Sequence, residues 1–148
     1  MEGNEIVLIL NGSFNPVTKA HVHLAMKAVE HAESLMKKNV IKLLLSPVHE
    51  QYKFKKLLPS KMREKLIQLS LENTPQSFRD IAEVNYDELY ADHPLYTYEV
   101  MQKLKERYPH NQIYLVCGAD LIAGMLIPSY WPEVNVRRVF AAVNIMCF

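Results

Sequence analysis

The chain has 148 residues, 49% of them hydrophobic, which is enough for one domain with a sizeable core and excludes a disordered protein. Its 17 basic and 16 acidic residues give a formal net charge of +1, so no overall field attracts nucleic acid or an anionic membrane. No apolar run approaches the roughly 20 residues of a membrane span, and the first residues are acidic, unlike those of a signal peptide. We therefore expect a single domain over residues 1–148, located in the cytoplasm or nucleus, that binds neither nucleic acid nor membranes.

The first predicted unit is a strand, a loop and a helix arranged as in phosphate-binding sites. Ile6 to Leu10 forms a continuous apolar run, which is typical of a strand buried on both faces of a parallel sheet. Gly12, in the loop that follows, allows the backbone to approach a bound group closely. The apolar spacing then predicts a helix from about Thr18 to Lys38, whose amino end favours an anion and carries His21 as a donor.

Strands and helices alternate along the rest of the chain. Further strands are predicted at 40–45, 78–84, 112–117 and 143–148, and further helices at 61–72, 96–108, 121–126 and 132–142. This alternation favours an open α/β fold with a mostly parallel sheet and helices on both faces. Ligands of such sheets bind at the carboxyl ends of the strands, where Gly12 and Gly118 are both expected. Cys117 and Cys147 lie in apolar runs, so we expect two buried thiols rather than a disulfide.

Five short motifs together resemble one enzyme family. In chain order they are Gly12-Ser13-Phe14-Asn15-Pro16 with Thr18 and His21 spaced T-x-x-H, then Ser46-Pro47-Val48 with Tyr52-Lys53, Leu95-Tyr96-Thr97, Cys117-Gly118-Ala119-Asp120 and Tyr130-Trp131. The first motif resembles the H-x-G-H signature of the nucleotidyltransferase superfamily, with Thr18 where the first histidine usually stands. The whole set, in this order, is similar to nicotinamide and nicotinate mononucleotide adenylyltransferases.

The resemblance implies a Rossmann-like nucleotidyltransferase fold and an activity in NAD synthesis. The partners it implies are ATP and nicotinamide or nicotinate mononucleotide, and it leaves open which of the two mononucleotides is preferred. In such a reaction the mononucleotide phosphate attacks the α-phosphorus of ATP and pyrophosphate leaves, so the protein positions substrates and stabilises charge. Mg²⁺ is implied as a cofactor that arrives with ATP and is held chiefly by phosphates and water, with no metal site built from side chains.

The resemblance also implies roles for individual residues. His21, Thr18 and Lys53 would be catalytic, with His21 bonding the ATP phosphates as charge moves onto the leaving group. The family's Y-K-K-K becomes Tyr52-Lys53-Phe54-Lys55 here, so the positive charge that faces the phosphates comes from either Lys53 or Lys55. The residues implied in substrate binding are Gly12, Ser13, Phe14, Tyr52, Lys55, Tyr86, Thr97, Gly118, Asp120, Tyr130 and Trp131.

Several of these residues also have a purely structural interpretation. Phe14 and Trp131 are large apolar side chains that suit a core, Thr97 suits a helix cap, and the lysines suit a solvated surface. In the family, the tryptophan at the position of Trp131 stacks on the nicotinamide ring, and Tyr86 is a second candidate for stacking. Both interpretations stay open at this point.

A typical family member continues past the point that matches residue 148. Its second phosphate site, an I-S-S-T-x-I-R motif that opens a later helix, has no counterpart here. On this ground we expect a carboxyl-terminally incomplete domain that catalyses poorly and forms a homo-oligomer through its last strand. Two alternatives remain: a catalytically impaired nucleotide-binding or interaction protein, and a sibling transferase that acts on phosphopantetheine or choline phosphate.

Overall fold

Five strands and six helices alternate along residues 3–148, the part of the chain that the structure, a computed structural model, describes. In chain order they are β1 (Glu5–Gly12), α1 (Lys19–Ser34), β2 (Asn39–Pro47), α2 (Ser60–Glu72), α3 (Gln76–Arg79), β3 (Ala82–Val84), α4 (Thr97–Arg107), β4 (Gln112–Cys117), α5 (Ala119–Met125), α6 (Glu133–Ala142) and β5 (Asn144–Cys147). Within this range no helix has the length and apolar character of a membrane span.

The strands form one sheet in the order β3-β2-β1-β4-β5, and each neighbouring pair is parallel. The chain moves outward from β1 to β3 and then returns to the other side of β1 as β4. The order therefore reverses between β1 and β4, and the crevice at their carboxyl ends is the switch point where such sheets bind ligands. This architecture confirms the predicted Rossmann-like fold.

Two cores cover the two faces of the sheet, because successive side chains of a strand point in opposite directions. Ile6 and Leu8 of β1 pack with α1 and α2 on one face. Val7 and Ile9 pack with α4 and α6 on the other. All four side chains are fully buried, which explains why β1 reads as a continuous apolar run.

Three details of the predicted elements are wrong. Of the predicted strand at 78–84, the first two residues belong to the short helix α3, which Pro75 caps and from which Phe78 fills the core. A turn follows, so only Ala82–Val84 pairs as β3. Helix α1 ends at Ser34 rather than near Lys38, because Lys37 adopts a φ of 55° that stops the helix. Cys147 is exposed rather than buried, because β5 alternates and buries Met146 instead.

The burial of β1 predicts a large stability cost for truncation at its centre. Leu8→Ala removes a fully buried side chain and leaves a cavity, so we expect the free energy of unfolding to fall by about 2–5 kcal/mol. Leu126→Ala, the same change at a side chain that is 78% exposed, should alter it by less than about 0.5 kcal/mol. Urea unfolding followed by circular dichroism measures both, and equal costs would contradict the central place of β1.

Candidate functional site

The β1–α1 loop, residues 13–18, leaves the sheet at the switch point with an unusual backbone. Phe14 has a φ of 44°, a left-handed conformation that costs a non-glycine residue on the order of 1–3 kcal/mol. Its side chain is 1% exposed and packs in the core beside α1, which holds the loop in place. The space around Gly12 does not require a glycine, because a Cβ there would lie 3.7 Å from the Phe14 ring, an ordinary contact distance. The predicted role of Gly12 in close approach to a bound group stays a prediction.

His21 lies in the first turn of α1, as predicted, and its imidazole is oriented by the residue that begins the helix. Its Nδ1 accepts the backbone N–H of Thr18 at 2.9 Å and lies 3.0 Å from the Thr18 Oγ1. Because Nδ1 is an acceptor, the neutral ring carries its proton on Nε2, which is left as a donor. The ring also meets the ring of Phe14 edge-on, with centroids 5.0 Å apart.

The surroundings of His21 favour its neutral form. Burial lowers the pKa of His21 below its ordinary value of 6.5, and the positive charge of Lys55 lowers it further. The ring is therefore a neutral donor at pH 7, able to bond an anion without first gaining a proton. The amino group of Lys53, unlike that of Lys55, has its contact elsewhere, since its Nζ lies over the Phe54 ring at 5.0 Å from the centroid. Of the two lysines left open by the sequence, Lys55 is the one whose charge reaches His21.

The β2–α2 loop, residues 48–59, carries the lysines and is bonded to the β1–α1 loop. Asn15 accepts the N–H of Leu58 at 2.7 Å through Oδ1 and donates to the carbonyl of Lys56 at 3.3 Å through Nδ2. Arg63 of α2 donates to the carbonyl of Leu58 and to that of Ser13, both at 2.9 Å. The two loops thus form one unit, and Ser13 contributes to it through its backbone.

Aromatic side chains connect the β2–α2 loop to the turn between α5 and α6. The rings of Tyr52 and Phe54 lie 5.2 Å apart, and those of Phe54 and Tyr130 lie 6.2 Å apart, both edge-to-face. Phe54 therefore contacts Tyr130, a predicted site residue. Trp131 is half-buried and packs against the core beside α4 and α6.

The start of α4 also reaches the switch point. Thr97 is the first residue of the helix, and its Oγ1 accepts a hydrogen bond from Asn11 Nδ2 at the end of β1, at 3.4 Å. The capping interpretation of Thr97 is wrong. Tyr96 precedes the helix in an extended conformation, and its N–H bonds to Glu99 three residues later at 2.7 Å, so Tyr96 is the cap.

Gly118 and Asp120 lie where the sequence places them, after β4. Gly118 is the N-cap of α5, and a Cβ at this position would lie 2.8 Å from Asp120 Oδ1, closer than real side chains approach. The glycine therefore lets the Asp120 carboxylate fold back over the end of β4.

Tyr86 is not brought to the other predicted residues. It follows β3 at the edge of the sheet, where its ring stacks on Tyr90 at 6.1 Å and its hydroxyl donates to Glu64 at 3.1 Å. It also lines a cavity of about 640 Å³ between α2, β3 and the end of α4. Stacking on a substrate base stays a prediction for Tyr86, without a contact to the rest of the site.

Sequence reasoning missed two buried charged residues, Arg63 and Glu88. Arg63 lies on the buried face of α2, four residues before Ile67 and eight before Leu71. An arginine at this spacing on an otherwise apolar helix face is the signal in the sequence that could have identified it. Glu88 accepts the N–H of His49 at 3.1 Å and that of Leu95 at 3.2 Å, joining the β2–α2 loop to the segment before α4. Burial raises its pKa, and these two bonds oppose the rise.

The fold and this site define the protein as a Rossmann-like domain of the nucleotidyltransferase type. The sequence model of the cytidylyltransferase-like family matches residues 9–148, and the chain belongs to this family. Among the described residues, no group of three or more His, Cys, Asp or Glu is placed to hold a metal ion.

Two curated relatives are similar over most of the chain. It is 30% identical over 123 residues to a probable nicotinate-nucleotide adenylyltransferase of Carboxydothermus hydrogenoformans, covering 83% of this chain and 55% of the relative. It is 26% identical to the nicotinamide/nicotinic acid mononucleotide adenylyltransferase of Arabidopsis thaliana, covering 96% of this chain and 60% of the relative. These matches confirm the resemblance that the motifs indicated. The chain spans about half the length of the curated relatives it matches.

Solved structures share the fold. A nicotinic acid mononucleotide adenylyltransferase of Plasmodium falciparum, complexed with APC, gives a TM-score of 0.67 at 17% identity, over 98% of this chain and 75% of that one. A putative nicotinate-nucleotide adenylyltransferase from Vibrio parahaemolyticus gives 0.65 at 18% identity, over 97% and 72%. At such low identity the likeness concerns the fold alone.

The electrostatic effect of Lys55 on His21 can be tested by titration. We expect His21 to titrate below 6.5, and Lys55→Gln to raise its pKa while leaving it below 6.5, because burial is the larger cause and remains. Lys53→Gln, the matched control, should leave the pKa unchanged. Nuclear magnetic resonance of the imidazole protons, assigned with His21→Ala, measures each value. An equal effect of both variants would contradict the placement of Lys55.

The same shift has a consequence for stability. His21 binds its proton at a lower pH in the folded protein than in the unfolded chain, because its pKa is lowered from 6.5 on folding. Protonation therefore favours the unfolded chain, so this residue should make the protein less stable as pH falls through 6.5.

Proposed function

We propose that this protein transfers the adenylyl group of ATP to nicotinamide or nicotinate mononucleotide, forming NAD or its deamido form and pyrophosphate. The observation that carries the proposal is a neutral histidine donor, His21, held by Thr18 beside the β1–α1 loop within reach of the charge of Lys55. The names of the relatives described above give this activity and support the substrate class.

In the proposed reaction an oxygen of the mononucleotide phosphate forms a bond to the α-phosphorus of ATP. The bond to the bridging oxygen breaks, and its electron pair leaves with pyrophosphate. His21 donates its Nε2 proton in a hydrogen bond to the phosphates as negative charge grows on the leaving group. Lys55 neutralises part of that charge, and the Thr18 hydroxyl and Lys53 are further candidates for the same task. No covalent intermediate on the protein is needed.

Substrate binding is assigned to the loops around the switch point. Backbone groups of Gly12 and Ser13 would contact phosphates, with Phe14 fixing the loop beneath them. Asp120, beyond Gly118, would accept hydrogen bonds from ribose hydroxyls. The residues proposed to surround the pyridine ring and its phosphate are Tyr52, Thr97, Tyr130 and Trp131, and Tyr86 is a separate candidate for stacking on a base.

Mg²⁺ fits this site as an ion that ATP brings with it. Mg²⁺ prefers phosphate oxygens and water, with one or two carboxylates at most, and residues 3–148 offer no larger acidic cluster. When bound it would neutralise phosphate charge while phosphate oxygens and water hold it.

We also propose that the protein acts in the cytoplasm or nucleus as a homo-oligomer. Strand β5 is an edge strand of the sheet, and helix α6, which precedes it in the chain, exposes Val134 and Phe140 at 53% each. An unpaired strand edge and exposed apolar side chains both favour self-association. A monomer by size-exclusion chromatography with light scattering would exclude it.

Ligand binding tests the substrate class. Since Trp131 is the single tryptophan and lies in the turn beside Tyr130, nicotinamide or nicotinate mononucleotide should quench its fluorescence and raise the melting temperature. Phosphopantetheine should do neither. A melting shift with phosphopantetheine alone would assign the protein to a sibling transferase instead.

Removal of the histidine donor tests the mechanism. His21→Ala should lower kcat for dinucleotide formation about a hundredfold or more, since a lost donor to developing charge costs about 3 kcal/mol. The affinity for mononucleotide should change little. His23→Ala, on the exposed side of the same helix, is the control and should retain the wild-type rate. If His21→Ala weakens binding and rate equally, His21 contacts the ground state rather than the transition state.

A further inference from the structure

The guanidinium of Arg63 is fully buried beneath the two loops of the site, although arginine is rarely found in such a place. It forms none of the ion pairs seen among residues 3–148, and its Nη2 has no partner there. Burying a charge that touches no counter-ion is costly, and the more distant charges of Glu50 and Glu88 offset that cost only in part. An apolar side chain would fill the same face of α2 without this cost. The position of Arg63 therefore serves something other than packing.

The two bonds of Arg63 go to two different loops. Nη1 donates to the carbonyl of Ser13, fifty residues away in sequence, and Nε donates to the carbonyl of Leu58. Because the guanidinium is planar and rigid, two of its donors fix the distance between the acceptors they reach. The β1–α1 loop and the end of the β2–α2 loop are thus held at a fixed distance from each other.

Asn15 completes this arrangement from the other side. Its side chain bonds to the N–H of Leu58 and to the carbonyl of Lys56. Both backbone groups of Leu58 are therefore occupied, one by Asn15 and one by Arg63. Lys55 directly precedes the segment that these bonds hold, so its approach to His21 depends on them.

We infer that Arg63 is a positioning residue that, with Asn15, holds the lysine-bearing loop against the β1–α1 loop so that Lys55 and His21 act on the same phosphates. It touches no reacting atom and acts through Ser13 and Leu58. The kinetic part of this inference rests on the proposed adenylyl transfer, whereas the structural part does not.

Arg63→Lys and Arg63→Met test the inference, with Arg79→Lys as the matched control. Arg79 also donates to a backbone carbonyl, that of Glu72, but lies exposed on α3. In both Arg63 variants, amide hydrogen exchange over residues 52–58 should become about tenfold faster or more. The pKa of His21 should rise to the value found in Lys55→Gln, since Lys55 moves away. The control should change neither readout.

Kinetics provide the second readout. In the Arg63 variants kcat should fall about a hundredfold, as expected for misplaced catalytic groups, while KM for the mononucleotide stays within about threefold. An equal rise of all KM values with unchanged kcat would reduce Arg63 to a structural residue. Where an Arg63 variant does not fold, Asn15→Ala removes the other half of the arrangement and should move the exchange rate and the His21 pKa in the same direction.

The outcomes separate the two proposals. Unchanged exchange over 52–58 and an unchanged His21 pKa in a folded Arg63 variant, or in Asn15→Ala, overturn the inference whether or not the protein forms a dinucleotide. If these readouts change as expected but the wild type neither binds mononucleotide nor forms a dinucleotide, the adenylyl transfer is wrong and the coupling of the loops stands.

Discussion

The site depends on the parallel pairing of β1 with β2 on one side and with β4 on the other. Residues 6–9 are fully buried between two cores, so β1 cannot move without loss of packing on both faces. Parallel pairing brings the carboxyl ends of the three strands to one edge of the sheet. Three segments that are far apart in sequence meet there, and each carries part of the candidate chemistry.

The loops at this edge are held by buried charged groups rather than by apolar packing alone. Arg63 joins the β1–α1 and β2–α2 loops, and Glu88 joins the β2–α2 loop to the start of α4. Each bonds to backbone groups, and the two opposite charges also attract each other. Hydrogen bonds to charged groups contribute about 1.5–3 kcal/mol each, which offsets part of the burial cost. The apolar core thus positions the strands and helices, and the buried charges position the loops.

The electrostatics of the site are local, as a formal net charge of +1 requires. His21 is a neutral donor whose orientation is set by Thr18, while Lys55 supplies positive charge and helps to keep the ring neutral. This arrangement suits a phosphate ligand, because His21 donates a hydrogen bond without first gaining a proton while Lys55 supplies the positive charge. The ring of Phe54 connects the lysine-bearing loop to Tyr130.

The sequence alone determined the central strands, the alternation of most strands with helices and the family, because these depend on residues that are neighbours in the chain. The apolar run Ile6 to Leu10 and the motif around His21 are readable without any partner. The tertiary structure decided the rest. Phe78 enters the core from a helix rather than a strand, and Cys147 is exposed because its neighbour takes the buried place. Arg63 bonds to a carbonyl fifty residues away, and no local pattern specifies such a contact, since the cost of burying a charge depends on which distant groups surround it.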